Sequence, residues 1–150
     1  MDARAGGLVL ELKCVLAAHR ERIYRTLTEP TDLARWWGPQ GFTTPEIDLD
    51  LRVGGQYRLG MQPPDGDLFH LSGEYLELHP PSRLVYTFRW DEPDPDDRVT
   101  VVTLSLDDVG KATEVSLSQG KFATRARLAL HRSGWTDSFE KLRDLIGSRT

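Results

Sequence analysis

Pro30-Thr31-Asp32-Leu33-Ala34-Arg35-Trp36-Trp37-Gly38-Pro39, then Gly41-Phe42, then Asp50-Leu51-Arg52-Val53-Gly54-Gly55, is the stretch from which this chain's fold is read. Proline suits a first helical position, where its missing N–H costs nothing. Gly38-Pro39 closes the short helix that follows. Two adjacent tryptophans are a large apolar area for so small an element, since each indole removes about 150–250 Å² from water when buried. Neighbouring helical residues point about 100° apart, so one face cannot take both. One indole is expected to anchor the helix to the core. The other needs a second apolar surface, such as a cavity wall or a partner.

Upstream, Leu8, Leu10, Leu12, Cys14 and Leu16 alternate with Glu11 and Lys13, the pattern of a half-buried strand. His19 to Leu27 reads as a short helix with Ile23 and Leu27 on one side. Downstream the period becomes two. Ile47-Leu49-Leu51, Tyr57-Leu59-Met61, Phe69-Leu71-Gly73-Tyr75, Leu84-Tyr86-Phe88-Trp90, Val99-Val101-Thr103 and Val115-Leu117-Gln119 each predict a strand. Turn signals separate them: Val53-Gly54-Gly55, Pro63 to Asp67, His79-Pro80-Pro81, Glu92 to Asp96 and Asp107 to Gly110. That spacing describes an antiparallel meander. Thr124 can cap a last helix running to Ile146, whose apolar stripe is Leu128, His131, Trp135, Phe139, Leu142, Leu145 and Ile146. The plan is α+β, a single domain over residues 1–150, with the long helix across one face of the sheet.

Taken in order, Pro30-x-x-Leu33-x-x-Trp36-Trp37-Gly38-Pro39-x-Gly41-Phe42, Arg52-x-Gly54-Gly55 with Tyr57, Met61 with Pro64-Asp65-Gly66, Gly73-Glu74-Tyr75, Pro80 to Val85 and Gly134-Trp135 form a recognisable set. It resembles the START-like (SRPBCC) helix-grip superfamily, in the branch named after the activator of the heat-shock-protein-90 ATPase. The resemblance covers nearly the whole chain. It implies a curved antiparallel sheet wrapped around a long C-terminal helix, with two short helices after the first strand. Its motifs are specific for fold and not for activity.

Composition narrows the function classes. At 150 residues the chain can bury roughly two thirds of its unfolded surface as one domain. Hydrophobic residues at 39% and charged ones at 28% argue against disorder. A net charge of -4 supplies no broad basic field, so nucleic acid is not the expected partner. The longest apolar run, Leu8 to Ala18, is interrupted by Glu11 and Lys13, so no membrane span and no secretory signal are expected, and a cytoplasmic location is. One cysteine, Cys14, leaves no internal disulfide and no cysteine zinc cluster.

A helix held against a concave sheet leaves space beneath it, and apolar pockets with a few polar groups are the usual small-molecule sites. The expected wall is Trp37, Phe42, Tyr57, Met61, Tyr75, Tyr86, Phe88, Phe122, His131 and Trp135. Any one of them can equally be plain core packing; as a group, with tyrosine hydroxyls that need partners, they favour a pocket. His131 interrupts the apolar stripe of the last helix, where a buried imidazole needs a hydrogen-bond partner. His19, His70, His79 and His131 have no metal-motif spacing, and no metal or cofactor is expected. The acidic run Asp91 to Asp97 lacks an EF-hand's ligand spacing and reads as a solvated hairpin tip. No serine lies in a nucleophile elbow, and Cys14 sits mid-strand. Asp48, Arg58, Glu74, Tyr86 and His131 are the residues left for acid–base chemistry, should they converge.

Three functions follow. A binding or carrier domain for a small apolar or aromatic ligand needs only the fold and the aromatic wall. A cyclase- or aromatase-like enzyme, which the superfamily resemblance also implies, needs convergent titratable groups in the same cavity. A co-chaperone is what the branch name suggests, but the activators that gave that name carry an additional N-terminal domain for which this chain is expected to have no room. A homodimer is expected from the two apolar surfaces that the tryptophans require and from sheet edges that need cover.

Overall fold

A computed structural model describes residues 8–147. The chain runs β1 (Leu10–Leu16), α1 (Arg20–Thr28), α2 (Pro30–Trp36), β2 (Thr43–Leu49), β3 (Gln56–Gln62), β4 (Phe69–His79), β5 (Arg83–Trp90), β6 (Thr100–Val109), β7 (Ala112–Gly120) and α3 (Arg125–Gly147). The seven strands form one sheet in the order β1-β7-β6-β5-β4-β3-β2, antiparallel at every pairing. Strands that follow one another in sequence are therefore neighbours from β2 to β7. β1 closes the far edge by pairing with β7, Leu10 opposite Gln119 and Leu16 opposite Thr113. This is the helix-grip arrangement that the sequence predicts.

Alternation fills the inner face: Leu10, Cys14 and Leu16 from β1, Leu59 and Met61 from β3, Leu84, Tyr86 and Phe88 from β5, and Val115, Leu117 and Gln119 from β7 are all buried. β6 differs in phase from its expectation. Val99 and Val101 face outward, and the inner residues are Thr100, Val102, Leu104 and Leu106. Val99, Val101 and Val102 make the start of this segment apolar on both faces, and the period marks the inner face only further on, where Val102, Leu104 and Leu106 alternate with Thr103, Ser105 and Asp107. β2 stops at Leu49, leaving Leu51 exposed in the turn.

α3 begins as predicted. The Arg127 backbone N–H donates to Thr124 Oγ1 at 3.1 Å, satisfying one of the orphan donors of the first turn. His131, Trp135, Ser138, Phe139, Leu142 and Ile146 turn toward the sheet. A polar chain ties helix to sheet inside the core: Trp135 Nε1–H donates to Gln119 Oε1 at 2.8 Å, and Gln119 Nε2–H donates to Thr100 Oγ1 at 2.9 Å. Gln119 is fully buried, so each bond satisfies a group that water cannot reach.

The paired tryptophans divide their roles. Trp36 is 1% exposed and its Nε1–H donates to the Thr26 carbonyl at 2.8 Å, fastening α2 to α1. Trp37 lies just past the helix in extended backbone, which carries its ring away from α2. That ring stacks near Phe88 with centroids 6.4 Å apart and meets Trp135 edge-on at 5.3 Å.

Candidate functional site

Trp37 opens onto a cavity of about 410 Å³ between α3, the inner face of β3, β4 and β5, and the two loops that follow α2 and β5. Its floor is aromatic and aliphatic: Trp37, Met61, Phe69, Phe88, Trp90 and Trp135, with Phe42 and Pro39 at one side. The volume suits a small organic ligand. Gly134 of α3 contributes a place with no side chain; a Cβ there would meet only Pro39 Cγ within 4 Å, at 3.9 Å.

The loop from Gly38 to Phe42 is held in place by α3. Ser138 Oγ accepts from the Gly38 N–H at 3.0 Å and donates to the Gly38 carbonyl at 3.2 Å, while Asp137 Oδ2 accepts from the Gln40 N–H at 3.1 Å. The Lys141 ammonium donates to the carbonyls of Trp37 and Pro39 at 3.2 and 3.3 Å. Burial lowers the pKa of that ammonium, and the neighbouring Asp137 works against the fall. Gly38 sits at φ +94°, left-handed backbone that glycine adopts freely, and Met61 Cε lies 3.3 Å from where its Cβ would be. Ser138, Asp137 and Lys141 were not candidates in the sequence. Their spacing of three and four on α3 was the available signal.

His131 is the polar group of the floor. It is 9% exposed and its ring is surrounded by Phe122, Phe88 and Trp90, with centroids at 4.9, 5.3 and 5.7 Å. Burial pushes its pKa down from 6.5 to about 4; the Asp97 carboxylate opposes that fall and the Arg127 guanidinium adds to it. The imidazole is therefore neutral near pH 7.

The mouth of the cavity corrects one expectation. The acidic run after β5 is no free hairpin tip. Arg127, in the first turn of α3, gathers Asp94 at 2.7 Å, Asp96 at 3.1 Å and Asp97 at 3.4 Å, and the Asp97 side chain is only 8% exposed. The loop is thereby folded over the cavity, with Asp91, Glu92, Asp94 and Asp97 on its rim. Arg58 is engaged with Asp91 at 2.8 Å, and Ser72 donates to the same carboxylate at 2.6 Å. Burial raises the pKa of Asp91, but the bonds from Ser72 and Arg58 outweigh it and hold the carboxylate below its ordinary range. The pairing of Arg127 with residues about thirty positions earlier leaves no local trace in the sequence.

Of the expected wall, Trp37, Phe42, Met61, Phe88, His131 and Trp135 line this cavity. Tyr57, Tyr75 and Tyr86 do not. They surround a separate cavity of about 20 Å³ with Leu59, Leu84 and Leu104, closed by Trp36 and Trp37. The three rings pack edge-on or tilted at 5.3 to 6.2 Å, and burial first, then one another's charge, lifts the pKa of Tyr57 and Tyr86 well above the phenol range. Phe122 is buried against His131 without reaching the cavity surface. Phe69, Trp90 and Arg127 are among the wall residues that sequence reasoning did not single out, as are Leu68, Leu130 and His70, whose ring nitrogen lies 2.7 Å from Glu46 Oε1. Among the acid–base candidates, Arg58 and His131 reach the cavity, Tyr86 belongs to the smaller one, and Asp48 and Glu74 line neither.

A seven-stranded antiparallel sheet curled against one long helix, with a cavity kept between them, defines a helix-grip domain. The chain belongs to the family described as activator of Hsp90 ATPase homolog 1-like protein, whose model matches residues 17–147. A solved structure from Chromobacterium violaceum is 30% identical and superposes with a TM-score of 0.85, covering 93% of this chain and 97% of that one. One from Nitrosomonas europaea is 27% identical at a TM-score of 0.81, covering 99% and 98%. An AHSA1 protein from Silicibacter pomeroyi, at 24% identity, shares the fold with a TM-score of 0.81 over 95% and 99% of the two chains. No curated protein matches the sequence. Among the described residues, no helix is long and apolar enough to cross a membrane.

Proposed function

We propose that this domain binds a small, flat, largely apolar ligand in the cavity beneath α3. The observation that carries the reading is the cavity of about 410 Å³ with an aromatic floor, kept open by a glycine in the middle of a long helix. Glycine inside a helix costs roughly 0.5–1 kcal/mol relative to alanine, so Gly134 gives up stability where a side chain would occupy the space. A carrier fits better than a cyclase- or aromatase-like enzyme. The acid–base candidates do not meet, and His131 has aromatic rings rather than a hydrogen-bonded carboxylate or phenol beside it. A neutral imidazole with a pKa of about 4 is also a weak base near pH 7.

The test is titration with the uncharged probe N-phenyl-1-naphthylamine, following its fluorescence and the quenching of the tryptophans. Saturable binding is expected, with a rise in melting temperature by mass action. Gly134→Leu should abolish the binding while leaving the fold intact, because leucine restores helix propensity and fills the cavity. Failure of the probe to bind, or undiminished binding by the leucine variant, refutes the reading.

A further inference from the structure

We propose, resting on the cavity reading above, that the natural ligand carries a hydroxyl group received by His131, so that the domain prefers hydroxylated aromatic compounds to hydrocarbons of the same shape. The argument begins from unpaired polarity. His131 is 9% exposed, lines the cavity and makes no hydrogen bond to any described residue. The indole N–H groups of Trp37 and Trp90 on the same floor also have no partner among the described residues, but they can only donate, whereas the imidazole can accept as well. The other polar side chains close to the floor are engaged. Ser138 exchanges bonds with Gly38, Trp135 donates to Gln119, Arg58 holds Asp91, and Arg127 holds Asp94, Asp96 and Asp97.

A neutral imidazole offers one donor and one acceptor. A hydroxyl both donates and accepts, so it suits either ring nitrogen and either tautomer. A hydrocarbon seated on the same floor displaces whatever water the imidazole held and returns nothing, leaving a desolvated polar group unpaired. A carboxylate fares worse in this position. It would be enclosed by Phe88, Trp90 and Phe122 beside the Asp97 carboxylate, and the two arginines of the rim are taken. The charged groups facing His131 are Asp97 from the folded-over loop and Arg127 from its own helix, and they act on the imidazole in opposite senses. Recognition at the floor is therefore a matter of neutral hydrogen bonding.

The experiment compares two probes of nearly equal shape, 2-naphthol and 2-methylnaphthalene, on the wild-type protein, His131→Leu and His131→Gln. A hydrogen bond that spares a buried group from being left unpaired is worth about a tenfold preference for the naphthol in the wild type. His131→Leu should erase or invert that preference while still binding 2-methylnaphthalene, and His131→Gln, which keeps a donor and an acceptor, should retain part of it. Equal affinity of the wild type for the two probes, or a preference that persists in His131→Leu, overturns the proposal while the cavity reading stands. Binding of neither probe overturns both.

Discussion

Lowering the pH from about 7 to 5 should cost this protein roughly 2 kcal/mol of stability through His131 alone. Burial among Phe122, Phe88 and Trp90 is the first cause of a folded-state pKa of about 4, against 6.5 for a free imidazole. Between those two values the unfolded chain binds the proton and the folded chain does not. Stability is therefore complete above the unfolded pKa and drains away as the pH falls toward the folded one. At pH 5 nearly all unfolded molecules and about a tenth of folded ones are protonated at this site, which yields the figure above. Glu77, Asp91 and Asp96, whose pKa values are lowered, lose their contributions as the pH falls below the ordinary carboxylate range, and do so equally in a His131 variant. Urea unfolding followed by tryptophan fluorescence at the two pH values, on wild type and His131→Gln, isolates the term as a difference of differences. NMR titration of the His131 ring reads the same pKa directly. A ring that titrates near 6.5, or a pH dependence unchanged by the substitution, would show that the imidazole is freely hydrated and the reasoning wrong.

Trp135→Ala should cost about 3–5 kcal/mol, the range for a large buried aromatic. Trp135→Phe should cost about 1–3 kcal/mol, because Gln119 Oε1 would be left buried without its donor; chemical denaturation measures both, and a loss below about 1 kcal/mol for either refutes the packing described. Gly73→Ala should destabilise by more than about 3 kcal/mol in the same assay, the upper end for overpacking. A methyl there would run into the Thr87 carbonyl and the Tyr57 ring, which crosses Gly73 so that the Tyr57 hydroxyl can donate to Thr87 at 2.6 Å. Cys14, whose thiol burial pushes up to about 11, should resist a disulfide reagent near pH 8 until denaturant is added; prompt native-state labelling would contradict its burial.

The elements themselves were legible in the chain. Alternation marked the strands, the stripe through Trp135, Phe139 and Leu142 marked the gripping helix, and Thr124 marked its start, because each of these signals is local. The tryptophan pair also announced its need for two surfaces, since adjacent residues cannot share one face. What alternation cannot say is where along a strand an inward side chain falls relative to the helix that crosses it. Tyr57, Tyr75, Tyr86 and Phe88 all point inward, yet Trp37 stands between them, leaving the tyrosines in a space of about 20 Å³ and Phe88 in one of about 410 Å³. The closure of the mouth was equally out of reach. Arg127 meets Asp94, Asp96 and Asp97 only because the loop after β5 and the first turn of α3 come together at the same end of the sheet. Residue type and period set which face a side chain takes. The path of the chain in three dimensions decided which aromatics border open space, which fill the core, and that His131 has no hydrogen-bond partner among the described residues.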